Sequence, residues 1–260
     1  MIGKQKENIL HWLEIADPRI NHQQAYSTHK PGTGDWFTKG QTYQDWLAKP
    51  KSFSWLNGKA GCGKTVLSST IIESTTAHCD ENEGCVMAYF YFSFSDSTKQ
   101  SYSNMLRSIL AQIASQVDVI PDCLMLLSRA YQWSSPPTDA LRKTLLTLVD
   151  ERFLCHVYIL VDALDEILDT DQREDTCRIL DEVSQKPKAH IIATSRREHD
   201  ITEYMSECKT VKDIFIQNSE VDHDIQLWVR GRLREDKKLK KWSAIHDDIE
   251  AALGKEADGM

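Results

Sequence analysis

The sequence lacks the features that would place it in a membrane or outside the cell. It has no run of about 18 apolar residues, the length that a helix needs to cross a bilayer. The first ten residues, MIGKQKENIL, lack the apolar core of a secretory signal. The seven cysteines are odd in number and form no CxxC pair, and the nine histidines include no HExxH motif. These absences argue against a disulfide framework or a zinc site, and we expect a cytoplasmic protein.

Positive charge is also scarce, because the formal net charge is −8. A chain of this charge has no general attraction to the phosphates of nucleic acids. The one basic run, RGRLREDKKLKK at 230–241, is interrupted by Glu235 and Asp236 and carries no interleaved aromatic residues that could stack on bases. We therefore interpret this run as a solvated helical face and do not expect nucleic acid as a partner.

Hydrophobic spacing predicts strands that alternate with helices. The predicted strands are SFSWLN (52–57), VMAYFYFSF (86–94), CHVYILVD (155–162), HIIATS (190–195) and VKDIFIQ (211–217). The predicted helices cover 5–16, 43–49, 65–77, 105–117, 121–132, 138–150 and 168–184. Nearly continuous hydrophobic strands between helices are typical of a parallel sheet that is covered on both faces. We predict an α/β fold, a three-layer αβα sandwich around a mainly parallel five-stranded sheet.

The same patterns divide the chain into three regions. Residues 1–45 are predicted to form an N-terminal helix and a linker, in which the polar, turn-rich stretch 17–35 is a connecting loop. Residues 46–217 hold all the predicted strands and form the main domain. Residues 218–260 are predicted to be a small helical extension, including a helix at about 242–254.

The segment GKAGCGKT at 58–65 carries the strongest chemical signal. It fits G-x-x-x-x-G-K-[ST] and stands between a predicted strand and a predicted helix, a context that favours a phosphate-binding loop over a plain glycine turn. Successive backbone N–H groups and the start of the helix can surround a phosphate. Lys64 would contact the β- and γ-phosphates, and the Thr65 hydroxyl would bind Mg²⁺. The candidate nucleotide-binding residues are Gly58, Ala60, Gly61, Cys62, Gly63, Lys64, Thr65 and Val66.

A second group of candidate residues follows the hydrophobic strand 157–161. Asp162 ends this strand, at the sheet edge where ligands bind in open α/β proteins, and it would hold Mg²⁺ together with Thr65. Asp165 and Glu166 follow within one turn, and one of them could polarise the attacking water. The alternative is a strand end with solvated acids, which the phosphate loop upstream makes less favourable.

A third group follows the strand HIIATS. Arg196 stands where a guanidinium could reach a γ-phosphate, and we include it with Asp165 and Glu166 among the candidate catalytic residues. We interpret the neighbouring Arg197 as a surface residue.

Four stretches together resemble the NACHT domains of fungal signalling proteins, STAND-class P-loop NTPases that are grouped with the N-terminal domain of nephrocystin-3-like proteins. The stretches are GTGDWF (32–37), SWLNGKAGCGKTVLSSTIIE (54–73), ILVDALDE (159–166) and ATSRRE (193–198). By position, Lys64 and Thr65 match the Walker A motif, Asp162 the magnesium-binding acid, Asp165 and Glu166 the catalytic acids and Arg196 the first sensor.

The resemblance implies more than a fold. It implies a strand inserted between the P-loop strand and the Walker B strand, exchange of ATP for ADP as an on–off switch, slow hydrolysis, and self-association in the ATP state. It also implies effector and sensor domains, which this sequence does not display, so we expect either a fragment that ends within a helical subdomain or a minimal protein.

Other functions remain open at this point. A P-loop phosphotransferase would need an arginine-rich lid, and no such cluster is evident. A remodelling ATPase would hydrolyse rapidly on a polymer substrate. A GTPase would show an [NT]KxD tetrapeptide, which is not found in the required place. A scaffold could bind nucleotide only for stability.

Overall fold

The computed structural model describes residues 2–216 and 218–256, which form helices and five strands. The helices are α1 (Ile2–Leu13), α2 (Arg19–Thr28), α3 (Asp35–Thr38), α4 (Gln41–Ala48), α5 (Lys64–Glu81), α6 (Tyr102–Ser115), α7 (Asp122–Ala130), α8 (Thr138–Val149), α9 (Thr170–Ser184), α10 (His199–Glu207), α11 (Asn218–Glu235) and α12 (His246–Glu256). The strands are β1 (Ser52–Asn57), β2 (Cys85–Tyr91), β3 (His156–Asp162), β4 (Ala189–Ser195) and β5 (Val211–Phe215). Short 3₁₀ helices span Ser97–Lys99, Leu164–Glu166 and Leu239–Ile245.

The five strands form one sheet in the order β2-β3-β4-β1-β5. Every neighbouring pair is parallel, which confirms the predicted α/β fold and makes the sheet wholly rather than mainly parallel. β4 lies between β1 and β3, as the family resemblance implies for the inserted strand. Because all strands are parallel, the C-terminal ends of β1, β3 and β4 meet at one edge of the sheet.

Helices cover both faces of the sheet, so its strands are buried on both sides. Along β3, Val157, Ile159 and Val161 face a core that includes α6, α8 and α9. The alternate residues Tyr158 and Leu160 face a second core that includes α4 and α5. This alternation is why the strand is an uninterrupted hydrophobic run. Within the described part of the chain, we find no helix with the length and hydrophobicity that a membrane crossing requires.

The structure corrects the prediction of a loop at 17–35, because α2 occupies Arg19–Thr28. Its sequence, RINHQQAYST, is too polar to show an apolar helical face. His22 and Ala25 are nevertheless buried, and the His22 ring lies 2.6 Å from Glu73 of α5 and 3.2 Å from the Tyr91 hydroxyl. Tertiary contacts therefore decide the conformation of this segment.

Several boundaries also differ from the predictions. The predicted strand 86–94 ends at Tyr91, and the helix predicted for 5–16 ends at Leu13. The helix predicted for 242–254 is divided between the 3₁₀ segment Leu239–Ile245 and α12. Gln217, at the end of the predicted fifth strand, and residues 257–260 of the predicted extension lie outside the described residues.

The edge of β2 that has no neighbouring strand among the described residues is covered by two glutamine side chains, Gln112 of α6 and Gln116, the C-cap of this helix. The side-chain amide of Gln116 accepts a hydrogen bond from the Met87 N–H at 3.0 Å and donates to the Met87 carbonyl at 2.7 Å. Gln112 makes the same pair of bonds with Tyr89, at 3.1 and 2.8 Å. The spacing of the two glutamines matches that of their partners, because four residues of a helix rise about 6 Å and two residues of a strand about 6.6 Å. The amides thus take the place of a neighbouring strand.

We expect the double substitution Gln112→Ala/Gln116→Ala to expose this edge and promote association of the domain through β2. Unpaired strand edges are templates for pairing with another chain. Alanine keeps the helix propensity of α6, so the helix itself should persist. Analytical ultracentrifugation across a concentration series should detect a dimer or larger species. The exposed pair Gln23 and Gln24 of α2, both changed to alanine, is the matched control, and identical sedimentation of the two variants would contradict the prediction.

Candidate functional site

A glycine-rich loop joins the end of β1 to the start of α5. Gly61 and Gly63 have positive φ angles of 78° and 82°, a backbone conformation that L side chains rarely adopt. At Gly58 the constraint is space, because an added Cβ would lie 2.8 Å from Cys62 Sγ. Gly63 is the N-cap of α5 and has no side-chain cap, so the first turn of the helix presents backbone N–H groups toward the loop. The arrangement suits an anion.

The Lys64 side chain folds back over this loop. Its ammonium donates to the carbonyl oxygens of Gly58 and Lys59, both at 2.8 Å. Cys62 Sγ lies 3.7 Å away. A fixed positive charge therefore stands beside the N-terminus of α5.

Asp162, at the tip of β3, lies directly against the first turn of α5. Its Oδ2 accepts a hydrogen bond from Thr65 Oγ1 at 2.9 Å, and its Oδ1 accepts from Ser68 Oγ at 2.6 Å and from Thr194 Oγ1 at 2.7 Å. The side chain is buried, with 2% of the residue exposed. Burial raises the pKa of Asp162, while the three hydroxyl donors and the Lys64 charge act in the opposite direction. The structure thus brings the end of the phosphate loop and this carboxylate together.

The two acids after Asp162 have different partners. Asp165, whose side chain is only 6% exposed, accepts bonds from Arg196, at 3.0 Å from the backbone N–H and at 2.5 Å from Nε. Glu166 Oε2 instead accepts a bond from the Phe94 backbone N–H at 3.0 Å. Burial raises the pKa of Glu166, and the nearby charges of Asp165 and Asp162 raise it further. Asp165 therefore orients Arg196, whereas Glu166 is bonded to the backbone of the residues that follow β2.

These residues line one cavity of about 340 Å³. Its walls include most of the phosphate loop, the residues after β3, and the end of β4. They are Ala60, Gly61, Cys62, Gly63, Lys64, Thr65, Val66, Ala163, Asp165, Glu166, Thr194 and Arg196. Twelve residues from three chain segments converge here, and all but Ala163 and Thr194 are candidate site residues from the sequence. Asp162 lies just behind this wall, bonded to Thr65.

The family model described as Nephrocystin 3, N-terminal, matches residues 32–196, which is more than half of the chain. This chain belongs to that family. The resemblance to nephrocystin-3-like N-terminal domains is thereby confirmed, and the matched region contains every candidate site residue. A comparison with curated proteins found no match.

Solved structures with a similar arrangement share little sequence with this member of the family. The Aeropyrum pernix ORC2 protein in its ADP form aligns with a TM-score of 0.48 and 13% identity, over 80% of this chain and 56% of that one. The structure of Drosophila ORC bound to DNA aligns with a TM-score of 0.49 and 14% identity, over 85% of this chain and 52% of that one. The domain therefore spans about half the length of these proteins.

A second, more apolar cavity of about 240 Å³ adjoins the first. It shares Gly61, Cys62, Gly63 and Val66 with the first cavity. Its other walls come from the residues before β1, from α5, from the residue after β5, and from α11. They are Thr28, Thr33, Gly34, Trp36, Leu67, Thr70, Ile216, Val221, Asp224, Ile225 and Trp228.

Asp224 of α11 is a polar residue that the sequence did not single out. Its Oδ2 accepts bonds from the Gly34 N–H at 2.9 Å and from the Trp36 indole at 3.2 Å. Burial raises its pKa, against the effect of these two donors. The partners of Asp224 lie about 190 residues away in the chain, so the sequence gives little indication of its role. The one signal is that an acidic residue stands beside the apolar helical face formed by Ile225 and Trp228.

Arg197 lies outside both cavities. Its guanidinium donates to Asn57 Oδ1 at 2.6 Å, pairs with Asp213, and stacks over the rings of Trp55 and Phe215. These contacts join the ends of β4, β1 and β5. The geometry agrees with the interpretation of Arg197 as a surface residue rather than a ligand.

Proposed function

We propose that this domain binds ATP with magnesium and acts as a nucleotide-dependent signalling switch that hydrolyses ATP slowly. The observation that carries the proposal is the 2.9 Å hydrogen bond between Thr65 and Asp162. It places the end of a phosphate-binding loop beside a carboxylate at the tip of another strand, as a metal–nucleotide site requires. The resemblance to NACHT domains supports the switch role, exchange of ATP for ADP, and self-association in the ATP-bound form.

The loop supports phosphate binding through both its backbone and its charge. The N–H groups around Gly61 and Gly63 and the N-terminus of α5 favour an anion. Lys64 now donates to two neutral carbonyl groups. Transfer of its ammonium to phosphate oxygens would replace these bonds with stronger, charge-assisted ones.

The donor set near Asp162 suits a magnesium ion that arrives with a nucleotide. Mg²⁺ prefers oxygen ligands, keeps several waters, and is usually held by one or two carboxylates together with substrate phosphates. Thr65 and Asp162 supply a hydroxyl and a carboxylate. Across the described ranges, no group of three or more His, Cys, Asp or Glu residues could hold a metal alone. Bound magnesium would neutralise phosphate charge, and Thr65 and Asp162 are the residues that would hold it.

The contacts of the two acids support slow hydrolysis with Glu166 as the general base. Both oxygens of Asp165 accept hydrogen bonds from Arg196. These bonds hold the guanidinium of Arg196 at the cavity wall, where the guanidinium can face a γ-phosphate. Glu166 has the raised pKa that improves a base, but one of its oxygens is bonded to the Phe94 N–H. Glu166 would need to turn from Phe94 toward a water, and this requirement accounts for a low rate.

The proposal predicts specific stabilisation of the purified domain by adenine nucleotides. At a ligand concentration of 100 Kd the stabilisation is about 2.7 kcal/mol, which corresponds to a rise in Tm of roughly 5–10 °C for a chain of this size. We expect ATP and ADP to produce this shift in the presence of magnesium, GTP to produce less, and EDTA to reduce the effect of ATP. Turnover should stay well below about 1 per second, the lower end of ordinary enzyme rates.

The thermal shift and three further measurements on the purified domain separate the proposal from its competitors. Absence of any shift with millimolar ATP and magnesium would remove the nucleotide-binding proposal altogether. A several-fold rise in hydrolysis on addition of DNA or RNA would favour a remodelling ATPase. Transfer of phosphate to a small acceptor would favour a phosphotransferase. Size-exclusion chromatography with ATP and with ADP tests the switch, because only the ATP form is expected to self-associate.

A further inference from the structure

We infer that Asp224 selects the base of the bound nucleotide by accepting a hydrogen bond from the 6-amino group of adenine. The inference rests on the proposed function, because it assumes that phosphates bind at the loop around Gly63. It adds a specificity-determining residue from α11, which lies beyond the region matched by the family model.

The position of the second cavity supports a base rather than another ligand. It lies beside the phosphate cavity, because Gly61, Cys62, Gly63 and Val66 are wall residues of both. A nucleotide whose phosphates lie on the loop would therefore direct its nucleoside part into this space. The side chains of Leu67, Ile216, Val221, Ile225 and Trp228 make its walls apolar, as the flat faces of a purine require.

Asp224 offers one hydrogen-bond acceptor in these apolar surroundings. Its Oδ2 is already bonded to the Gly34 N–H and the Trp36 indole. Its Oδ1 is buried and has no hydrogen-bond partner among residues 2–216 and 218–256. Buried polar atoms are almost always paired, so an orphaned acceptor in a cavity wall points to a donor on the ligand.

The other polar side chains of the cavity wall do not supply free donors. The hydroxyl protons of Thr28, Thr33 and Thr70 are directed to the backbone carbonyls of nearby residues, at 2.7, 2.8 and 3.1 Å. The cavity thus presents acceptors, and Asp224 is the charged one. A 6-amino group complements this wall, whereas a 6-carbonyl oxygen would face a carboxylate and be repelled.

Within ATP, the ribose hydroxyls are the second source of hydrogen-bond donors. Like the 6-amino group, they donate hydrogen bonds to a carboxylate, so the experiment must distinguish the ribose from the base. We assign the amine because Asp224 lies in the wall formed by α11 and the 33–36 segment, whereas the residues shared with the phosphate cavity, next to which a ribose would lie, are in the loop and α5.

The test measures affinity for four Mg-nucleotides by isothermal titration calorimetry. Wild-type protein should bind ATP about 10- to 100-fold more tightly than purine riboside triphosphate, which lacks the 6-amino group, since hydrogen bonds to charged groups are of this size. It should also bind ATP more tightly than inosine triphosphate, whose 6-carbonyl oxygen would face the carboxylate of Asp224. Equal affinity for the two nucleotides would mean that the N1–H of the 6-oxopurine can meet Asp224 instead of a 6-amino group, and would overturn the inference. It should bind 2′-deoxy-ATP almost as well as ATP.

Asp224→Asn should change this order rather than merely weaken binding. The amide oxygen can keep the bonds to Gly34 and Trp36, and the amide nitrogen then faces the base as a donor. The preference for ATP over purine riboside triphosphate should disappear, and inosine triphosphate should gain at least several-fold relative to ATP. Asp222→Asn is the matched control, because Asp222 also has a buried, unpartnered oxygen in α11 but does not line the cavity.

The possible outcomes test the role of Asp224 separately from the proposed function. An unchanged ratio of ATP to inosine triphosphate in Asp224→Asn would overturn the inference. An effect of Asp224→Asn that vanishes with 2′-deoxy-ATP would assign the contact to the ribose and also overturn it. Magnesium tripolyphosphate serves as a probe of the loop alone, and it should bind wild type and Asp224→Asn equally. If neither tripolyphosphate nor ATP binds wild-type protein, the proposed function fails first.

Discussion

Lys64→Ala should abolish the stabilisation of this domain by ATP. The ammonium of Lys64 is the charged group that the phosphate loop would offer to the β- and γ-phosphates, and charge-assisted hydrogen bonds contribute about 1.5–3 kcal/mol each. Loss of two such bonds would weaken ATP binding by more than about 100-fold. The Tm shift of roughly 5–10 °C expected for wild type would then fall close to zero at the same nucleotide concentration. Differential scanning fluorimetry with and without Mg-ATP measures it.

The control must show that Lys64→Ala leaves the fold intact. Lys64 donates to the carbonyls of Gly58 and Lys59, so its removal also alters the loop. The unfolding midpoint without nucleotide and the far-UV circular dichroism report on that change. Lys143→Ala removes an exposed lysine that pairs with Asp139 on α8 and should retain the full ATP shift. Equal ATP stabilisation of wild type and Lys64→Ala would contradict the role of this lysine.

Glu166→Gln should preserve ATP binding and lower the rate of hydrolysis by about 10²- to 10⁴-fold, the range of general acid–base catalysis. Glutamine has nearly the same shape and can still accept the bond from the Phe94 N–H, but it cannot take a proton from water. Single-turnover hydrolysis of radiolabelled ATP, measured beside calorimetric affinity, separates the rate from binding. The expected signature is an unchanged Kd with a greatly reduced rate.

Asp165→Asn is the informative comparison for this variant. Asp165 holds Arg196 through two bonds, so its loss should misplace the guanidinium and weaken the response to a γ-phosphate. An unchanged rate in Glu166→Gln together with a large loss in Asp165→Asn would transfer the role of base to Asp165.

The pH dependence of hydrolysis offers a second check on Glu166. Burial and the neighbouring acids raise its pKa above the usual range of a glutamate. The ionised form is the base, so the rate should fall as the pH falls through this raised pKa. The residual hydrolysis rate of Glu166→Gln should not show this decrease at low pH. A profile that is identical in both proteins would argue against Glu166 as the titrating group.

The phosphate loop, the strand that ends in Asp162 and the succession of strands and helices follow from the amino-acid sequence alone. Each of these depends on residues that are close in the chain. Glycines at fixed intervals permit the loop, and an unbroken hydrophobic run marks a strand buried on both faces. Such local patterns do not depend on the rest of the chain. The sequence alone therefore identifies Lys64, Thr65 and Asp162 as candidate site residues.

Contacts between residues that are distant in the chain depend on how the helices and strands pack. α2 is helical because His22 packs against α5 and β2, although its own sequence is too polar to predict a helix. Asp165 and Glu166 are adjacent acids in the sequence, and their different roles follow from Arg196 and Phe94. Asp224 reaches Gly34 across most of the chain. Contacts of this kind depend on how helices and strands pack together, and no periodicity within a short segment encodes them.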